Sequence, residues 1–183
     1  MSPLSQILSQ GQEAMPSLRT KLEAIVETVS ELEAAAEQKY WEGLELMVAG
    51  NYGAGIYLMG YAVEMWVKSA CARLLRVRPD EDVWVTLEPR YRIEKRSFPK
   101  VKDKGPHSLE LWGELLCHIR NVAGVGAFSR PVSADSVRTA SKRLHESWWV
   151  EMRYHEDRAS YRDVQQVEEV AAWFRKHQIS FWR

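Results

Sequence analysis

GNYGAGIYLMGYAVEMWVK, residues 50–68, decides how the rest of the chain is read. It opens on glycines, continues as an apolar run and closes on two charges, Glu64 and Lys68, four residues apart. On a helix that spacing places both on one face, with the carboxylate before the ammonium in the favourable order. From Gly53 to Val67 the apolar residues follow no single stripe, which marks a helix surrounded by others. A central helix is therefore expected from about residue 53 to 76. Gly50 sits where a left-handed residue ends the preceding helix, and Asn51-Tyr52 turn the chain, so the two helices should run antiparallel. Glycine inside a helix costs about 1 kcal/mol relative to alanine, so Gly60, with Gly53 two turns earlier on the same face, predicts a close neighbouring backbone. A charge in mid-helix is costly unless paired, so Glu64 and Lys68 are expected to form a structural pair, with each other or through His107 or Tyr40.

Working outward, Pro16 can open a long helix with an apolar stripe of Leu18, Leu22, Ile25, Val29 and Leu32, breaking near Glu37 before Tyr40, Trp41, Leu44 and Met47. Residues 1–15 are read as an arm and 16–183 as a single helical domain. Residues 77–107 carry Pro79, Pro89, Pro99 and Pro106, with VWVTL at 83–87 as the one strand-like fragment, so a long surface loop with a short hairpin is expected. Ser108 caps a helix with the stripe Trp112, Leu115, Leu116, Ile119 and Val122. Ser133 caps another, which should turn Val137, Ala140, Leu144 and Trp148 inward. A last helix at about 162–178 shows Val164, Val167, Ala171 and Phe174. The fold class is all-α, a helical bundle.

Twenty-five basic residues balance twenty-five acidic ones, so no overall field recruits nucleic acid or an anionic membrane, and such a partner needs a local patch. The charge is graded along the chain: Glu dominates from Glu13 to Glu42, while Arg90, Arg92, Lys95, Arg96, Lys100, Lys102 and Lys104 face only Glu94 and Asp103 between Pro89 and Lys104. Tyr91 and Phe98 lie among these cations, a composition that could hold phosphates and stack an unpaired base. Cys71 and Cys117 fall inside predicted helices without metal-type spacing, which fits buried thiols in a reducing cytoplasm. The first residues lack a basic region followed by an apolar core, and the apolar run Ile56–Val63 is too short to span a bilayer, so a cytoplasmic chain without a membrane partner is expected.

GNYGAGIYLMGYAVEMWVKSACARLL, preceded by LELMVAG, resembles the second-helix signature of HEPN domains, a glycine-tyrosine turn leading into "GYxxExxxKA". HSLELWGELL at 107–116 is similar to the His-x-Leu start of that family's third helix, and EMRYH at 151–155 to the "RY" before its last. The resemblance spans roughly residues 38–178. It implies an antiparallel four-helix bundle of HEPN type, here with an extra N-terminal helix and a long loop between the second and third core helices. It further implies a homodimer, and a place among prokaryotic defence, toxin–antitoxin and RNA-processing systems. Many members are metal-independent ribonucleases using Arg, four to six residues, then His, with imidazole moving protons and guanidinium holding phosphate.

Arg138 and His145 have that spacing and, seven residues apart, share one helix face. Arg153 and His155 occupy the RY segment with one intervening residue. Arg120-Asn121 matches a family "RN", but Val125 stands where the His should be. These two Arg/His pairs are the candidate catalytic residues, and the seven cations of 90–104 the candidate nucleic-acid contacts. No metal or cofactor is expected: the histidines form no i,i+4 pair, and GNYGAG lacks both the Lys-Ser/Thr ending of a phosphate loop and a preceding strand. If Trp173 and Phe181 lie outside the core, they would form a self-association surface. Two readings follow: an RNA-binding protein with ribonuclease capacity, or a catalytically silent dimerisation module whose partner is a protein from the same operon.

Overall fold

The computed structural model describes residues 27–154 and 157–183. Within them lie six α-helices: α1 Val29–Val48, α2 Tyr52–Leu74, α3 Val83–Glu94, α4 Leu109–Val122, α5 Ala134–Ser147 and α6 Tyr161–His177. Short 3-10 turns occupy Lys95–Ser97, Val150–Tyr154 and Gln178–Phe181, and no strand occurs among the described residues. None of the helices is long and apolar enough to cross a membrane.

As expected, α2 is the spine. It packs against α1, α3, α4, α6 and the two C-terminal turns. Ile56, Met59, Val63, Trp66 and Val67 are all buried in it, and such side chains contribute about 1.5–3 kcal/mol each on leaving water. The α1–α2 corner also follows the sequence: Gly50 has φ +84°, and the Asn51 N–H reaches back to the Leu46 carbonyl at 2.9 Å, closing the end of α1. The tightest backbone approach, however, is not at Gly53 or Gly60. It lies between Gly43 and Gly55, where an added Cβ would stand within 2.9 Å of the opposite carbonyl. Gly60 instead makes room for the Trp148 indole, whose N–H donates to the Tyr57 carbonyl at 3.0 Å.

Three local expectations are corrected. Helix α1 neither passes through Thr28 nor breaks near Glu37. Thr28 is an extended N-cap whose hydroxyl accepts from the Glu31 N–H while the Glu31 carboxylate accepts from the Thr28 N–H at 2.8 Å. That reciprocal cap starts α1, and Ala34-Ala35-Ala36, the best helix formers, carry it past Glu37 unbroken. Pro16, Leu18, Leu22, Ile25 and the arm 1–15 lie outside the described residues. The loop with a hairpin expected at 77–107 holds α3 instead. Asp82 caps it by accepting from the Trp84 N–H at 2.8 Å, and Val83, Leu87 and Tyr91, at helical spacing, point inward. Pro89 is exposed, so the ladder bond it removes is lost on the solvent side of the helix. Finally, of the two rings considered for a self-association surface, Phe181 is fully buried, while Trp173 is half-buried and packs on it and on Phe174.

Helices α4, α5 and α6 begin at the hydroxyls of Ser108, Ser133 and Ser160. Val137, Leu144 and Trp148 point inward and Ala140 is half-buried.

Candidate functional site

Two charged groups on the spine organise the most polar part of the core. Glu64 and Lys68 are each 3% exposed. The Lys68 ammonium donates to Glu64 Oε1 and lies 4.6 Å and 4.9 Å from the ring centres of Trp84 and Trp112, on α3 and α4. Two aromatic faces supply the electrostatic attraction that water would otherwise give the cation. The same carboxylate accepts from His107 Nδ1, at 3.0 Å to Oε1 and 3.2 Å to Oε2. Of the partners expected for this pair, mutual bonding and His107 are both present, while Tyr40 packs on Trp66 and Trp41.

His107 is different from its two companions because 43% of its side chain is exposed. A carboxylate only accepts, so Nδ1 carries the proton in the neutral ring and Nε2 presents a lone pair. Nε2 meets no hydrogen-bonding group among the described residues and is open to water. The edge of Tyr61 supports the ring at 5.9 Å between centroids.

The basic segment runs directly into this histidine. Arg90 pairs with Glu94 at 3.4 Å and Arg92 with Glu88 at 2.5 Å, each one helical turn away. Lys95 lies over Tyr91. Arg96, Lys100 and Lys102 are exposed and have no ion pair among the described residues. Lys104 is half-buried, and its carbonyl accepts from the Tyr91 hydroxyl. Tyr91 does not offer the stacking face anticipated from sequence, because it is buried against Trp112 at an interplanar angle of 22°. Phe98 is half-buried with its ring near His118, whose Nε2 stands 3.1 Å from the Glu94 carboxylate. Buried Val101 and the Trp112 indole N–H, donating to the Pro106 carbonyl at 2.8 Å, hold the loop onto α4. The cations thus stand on an anchored loop.

The Arg/His pairs fare differently. Arg138 donates to Glu114 at 2.9 Å and faces Asp135 at 3.5 Å. The Glu114 bond raises its guanidinium further above the ordinary value. His145 Nε2 faces Asp103 at 3.5 Å, and its buried Nδ1 has no partner among the described residues. The two side chains are therefore engaged with different elements. Arg153 lies in the turn Val150–Tyr154, its side chain outside the described set, and His155 is outside the described residues.

Arg120 is a structural clamp. It is 2% exposed and donates to the carbonyls of Gly126, Ala127, Phe181 and Arg183 between 2.7 and 3.2 Å. Desolvation lowers its guanidinium from the ordinary value. Sequence reasoning also missed a cleft of about 930 Å³ beside the start of α2, lined by Tyr57, Glu146, Trp149, Asp157 and Arg158 among others. Asp157 reaches across it to accept from the Gly53 N–H at 2.8 Å, capping a helix that Asn51 leaves uncapped. No spacing rule joins residues 104 apart. Among the described residues, no group of three or more His, Cys, Asp or Glu is placed to hold a metal. Comparison with family models, curated proteins and solved structures returns no match.

Proposed function

We propose that this chain is a HEPN-like helical protein that binds RNA through the basic face built by α3 and the loop 95–104. The supporting observation is the trio Arg96, Lys100 and Lys102, exposed cations without ion pairs among the described residues, on a loop tied to the core. Cations already neutralised by a neighbouring carboxylate have little left for a phosphate. Free ones release counterions on binding, so affinity falls steeply with salt. The membership and the RNA partner rest on the motif resemblance and on this charge arrangement. The reading includes a homodimer acting in a prokaryotic defence or toxin–antitoxin setting.

The test is fluorescence anisotropy with a labelled single-stranded RNA at 50 and 200 mM salt. The expected result is binding that weakens with salt, with the slope of log K against log salt reduced by about 0.7 for each contacting cation removed in Arg96→Gln, Lys100→Gln or Lys102→Gln. Salt-insensitive binding, or none, overturns the reading.

One observation favours the protein-binding rival. Val48, Trp149 and Tyr161 are 84%, 46% and 62% exposed, and Trp149 lines the large cleft. Loss of a partner on Trp149→Ser, with RNA binding absent, would establish that alternative.

A further inference from the structure

We infer that His107 is a nucleophile that accepts a phosphoryl group on Nε2 from an acyl phosphate, with Glu64 as its positioning residue. Such chemistry is separate from RNA binding and uses none of the cations of 90–104. Three observations meet at this imidazole. Nδ1 faces the buried Glu64 carboxylate, 3.0 Å from Oε1 and 3.2 Å from Oε2, so the proton is held there and the lone pair is left on Nε2. That nitrogen belongs to a side chain 43% exposed and meets no hydrogen-bonding group among the described residues, so an incoming phosphorus has an open approach. The ring is also held in place: the edge of Tyr61 stands against it, and Glu64 is itself fixed by Lys68 on a helix enclosed by its neighbours.

A free histidine shifts its proton between the two nitrogens and spends part of its time with Nε2 blocked. Here the carboxylate removes that loss. It does more as the new bond forms. When the Nε2 pair goes to phosphorus, positive charge develops on the ring, and Glu64 lies in hydrogen-bonding contact with the Nδ1–H that carries it. A buried carboxylate already in place stabilises that charge without having to reorganise. Lys68 balances Glu64 before the reaction, and the faces of Trp84 and Trp112 make the ammonium less dependent on that one carboxylate. His145 lacks this arrangement, since its buried Nδ1 has no partner among the described residues and its Nε2 is directed at Asp103.

In the reaction, the Nε2 lone pair attacks the phosphorus of the acyl phosphate. The N–P bond forms, the bond from phosphorus to the acyl oxygen breaks, and its electron pair leaves with a carboxylate. No proton moves: Nδ1 keeps its own, the ring becomes a cation facing Glu64, and the phosphoryl group retains its two negative charges. Oxidation states are unchanged. The donor class follows from the site. No acid faces Nε2 among the described residues, so the leaving group has to depart as an anion, which a carboxylate does readily because its acid titrates at about pH 4.

The experiment incubates the whole protein with acetyl phosphate at neutral pH and follows the intact mass, with peptide mapping under alkaline conditions. The expected product carries one phosphoryl group on His107, labile to acid and stable to alkali as an N–P bond is and a serine ester is not. Its formation should outpace that on a synthetic peptide of residues 104–111 by about 10-fold or more, the share of one charge-assisted hydrogen bond. His107→Ala should lose the group, while His118→Ala and His145→Ala keep it. Glu64→Gln leaves Lys68 without its ionic partner, so its circular dichroism is checked first. In the folded variant the rate should fall towards that of the peptide, and nitrogen NMR of the imidazole, showing the proton on Nδ1 in the wild type, should show both tautomers. A purely structural Glu64 would leave the tautomer unchanged. Where that variant does not fold, the comparison with the peptide decides. Incorporation at His107 no faster than in the peptide, incorporation only at another residue, or a wild-type proton on Nε2 overturns the assignment.

Discussion

Arg120 shows how little a residue type says about its task. Among the described residues its guanidinium meets no side-chain carboxylate and makes four bonds to main-chain oxygens from two segments, the turn after α4 and the C-terminal residues. The flat face of the same group covers the Phe128 ring at 4.5 Å. Replacing it by Met keeps most of the stem's volume and removes every donor, stranding carbonyls that folding took from water. Arg120→Met is expected to cost about 3–5 kcal/mol in urea unfolding, and to lower Tm by about 2–4 °C for each kcal/mol lost at this chain length. A cost below about 1 kcal/mol would show that water reaches those carbonyls. The sequence offers Arg120-Asn121 only as a fragment of a motif, because its partners are main-chain oxygens, which every residue has.

At the scale of helices, the pairing of α1 with α2 depends on two glycines that sequence reasoning did not select. Gly43 and Gly55 let the helices approach until each backbone carbonyl lies within 2.9 Å of where the other residue's Cβ would be. Alanine is the better helix former by about 1 kcal/mol, so Gly55→Ala isolates packing from propensity. The expected outcome is net destabilisation of about 1–3 kcal/mol by chemical denaturation, since the Met47 side chain can shift but the Gly43 carbonyl, 2.8 Å from the added Cβ, is backbone and cannot rotate aside. A stabilised variant would mean that the helices separate freely. Around this contact, Arg73 makes a two-point bond to Glu33 at 2.6 and 2.7 Å, and Arg175 ties α6 to Glu37 at 2.9 Å. Helix α3 carries the opposite lesson. VWVTL has the composition of a strand, yet Asp82 caps it and Val83, Leu87 and Tyr91 recur at intervals of four. The helical period was present, and β-branched residues with Pro89 obscured it; burial against the spine overrode local preference.

The whole molecule is organised around one buried helix, and its two thiols report on that. Burial raises the Cys71 thiol far above its ordinary value and pushes Cys117 up to about 11. Cys117 also approaches the Ala134 carbonyl at 3.7 Å. Since the thiolate is the nucleophile, both should resist iodoacetamide at pH 8 in the native protein and react readily in 6 M guanidinium chloride. Mass spectrometry of the alkylated chain gives the count directly. Fast labelling of Cys71 without denaturant would mean that α2 is accessible, contrary to its place at the centre.

The amino-acid sequence alone determined the helical class, the central position of residues 53–76, the left-handed turn at Gly50, the caps at Ser108 and Ser133 and the pairing of Glu64 with Lys68. Each of these is encoded in near neighbours: a period of 3.6, a hydroxyl three residues before an N–H, a charge four residues from its opposite. Only the tertiary structure decided that Lys68 lies between Trp84 and Trp112, that Arg138 and His145 serve different carboxylates, that Asp157 caps α2, and that His107 turns one nitrogen to Glu64 and the other to water. Those contacts join residues far apart in the chain. Their geometry follows from how helices pack, and no local spacing carries it.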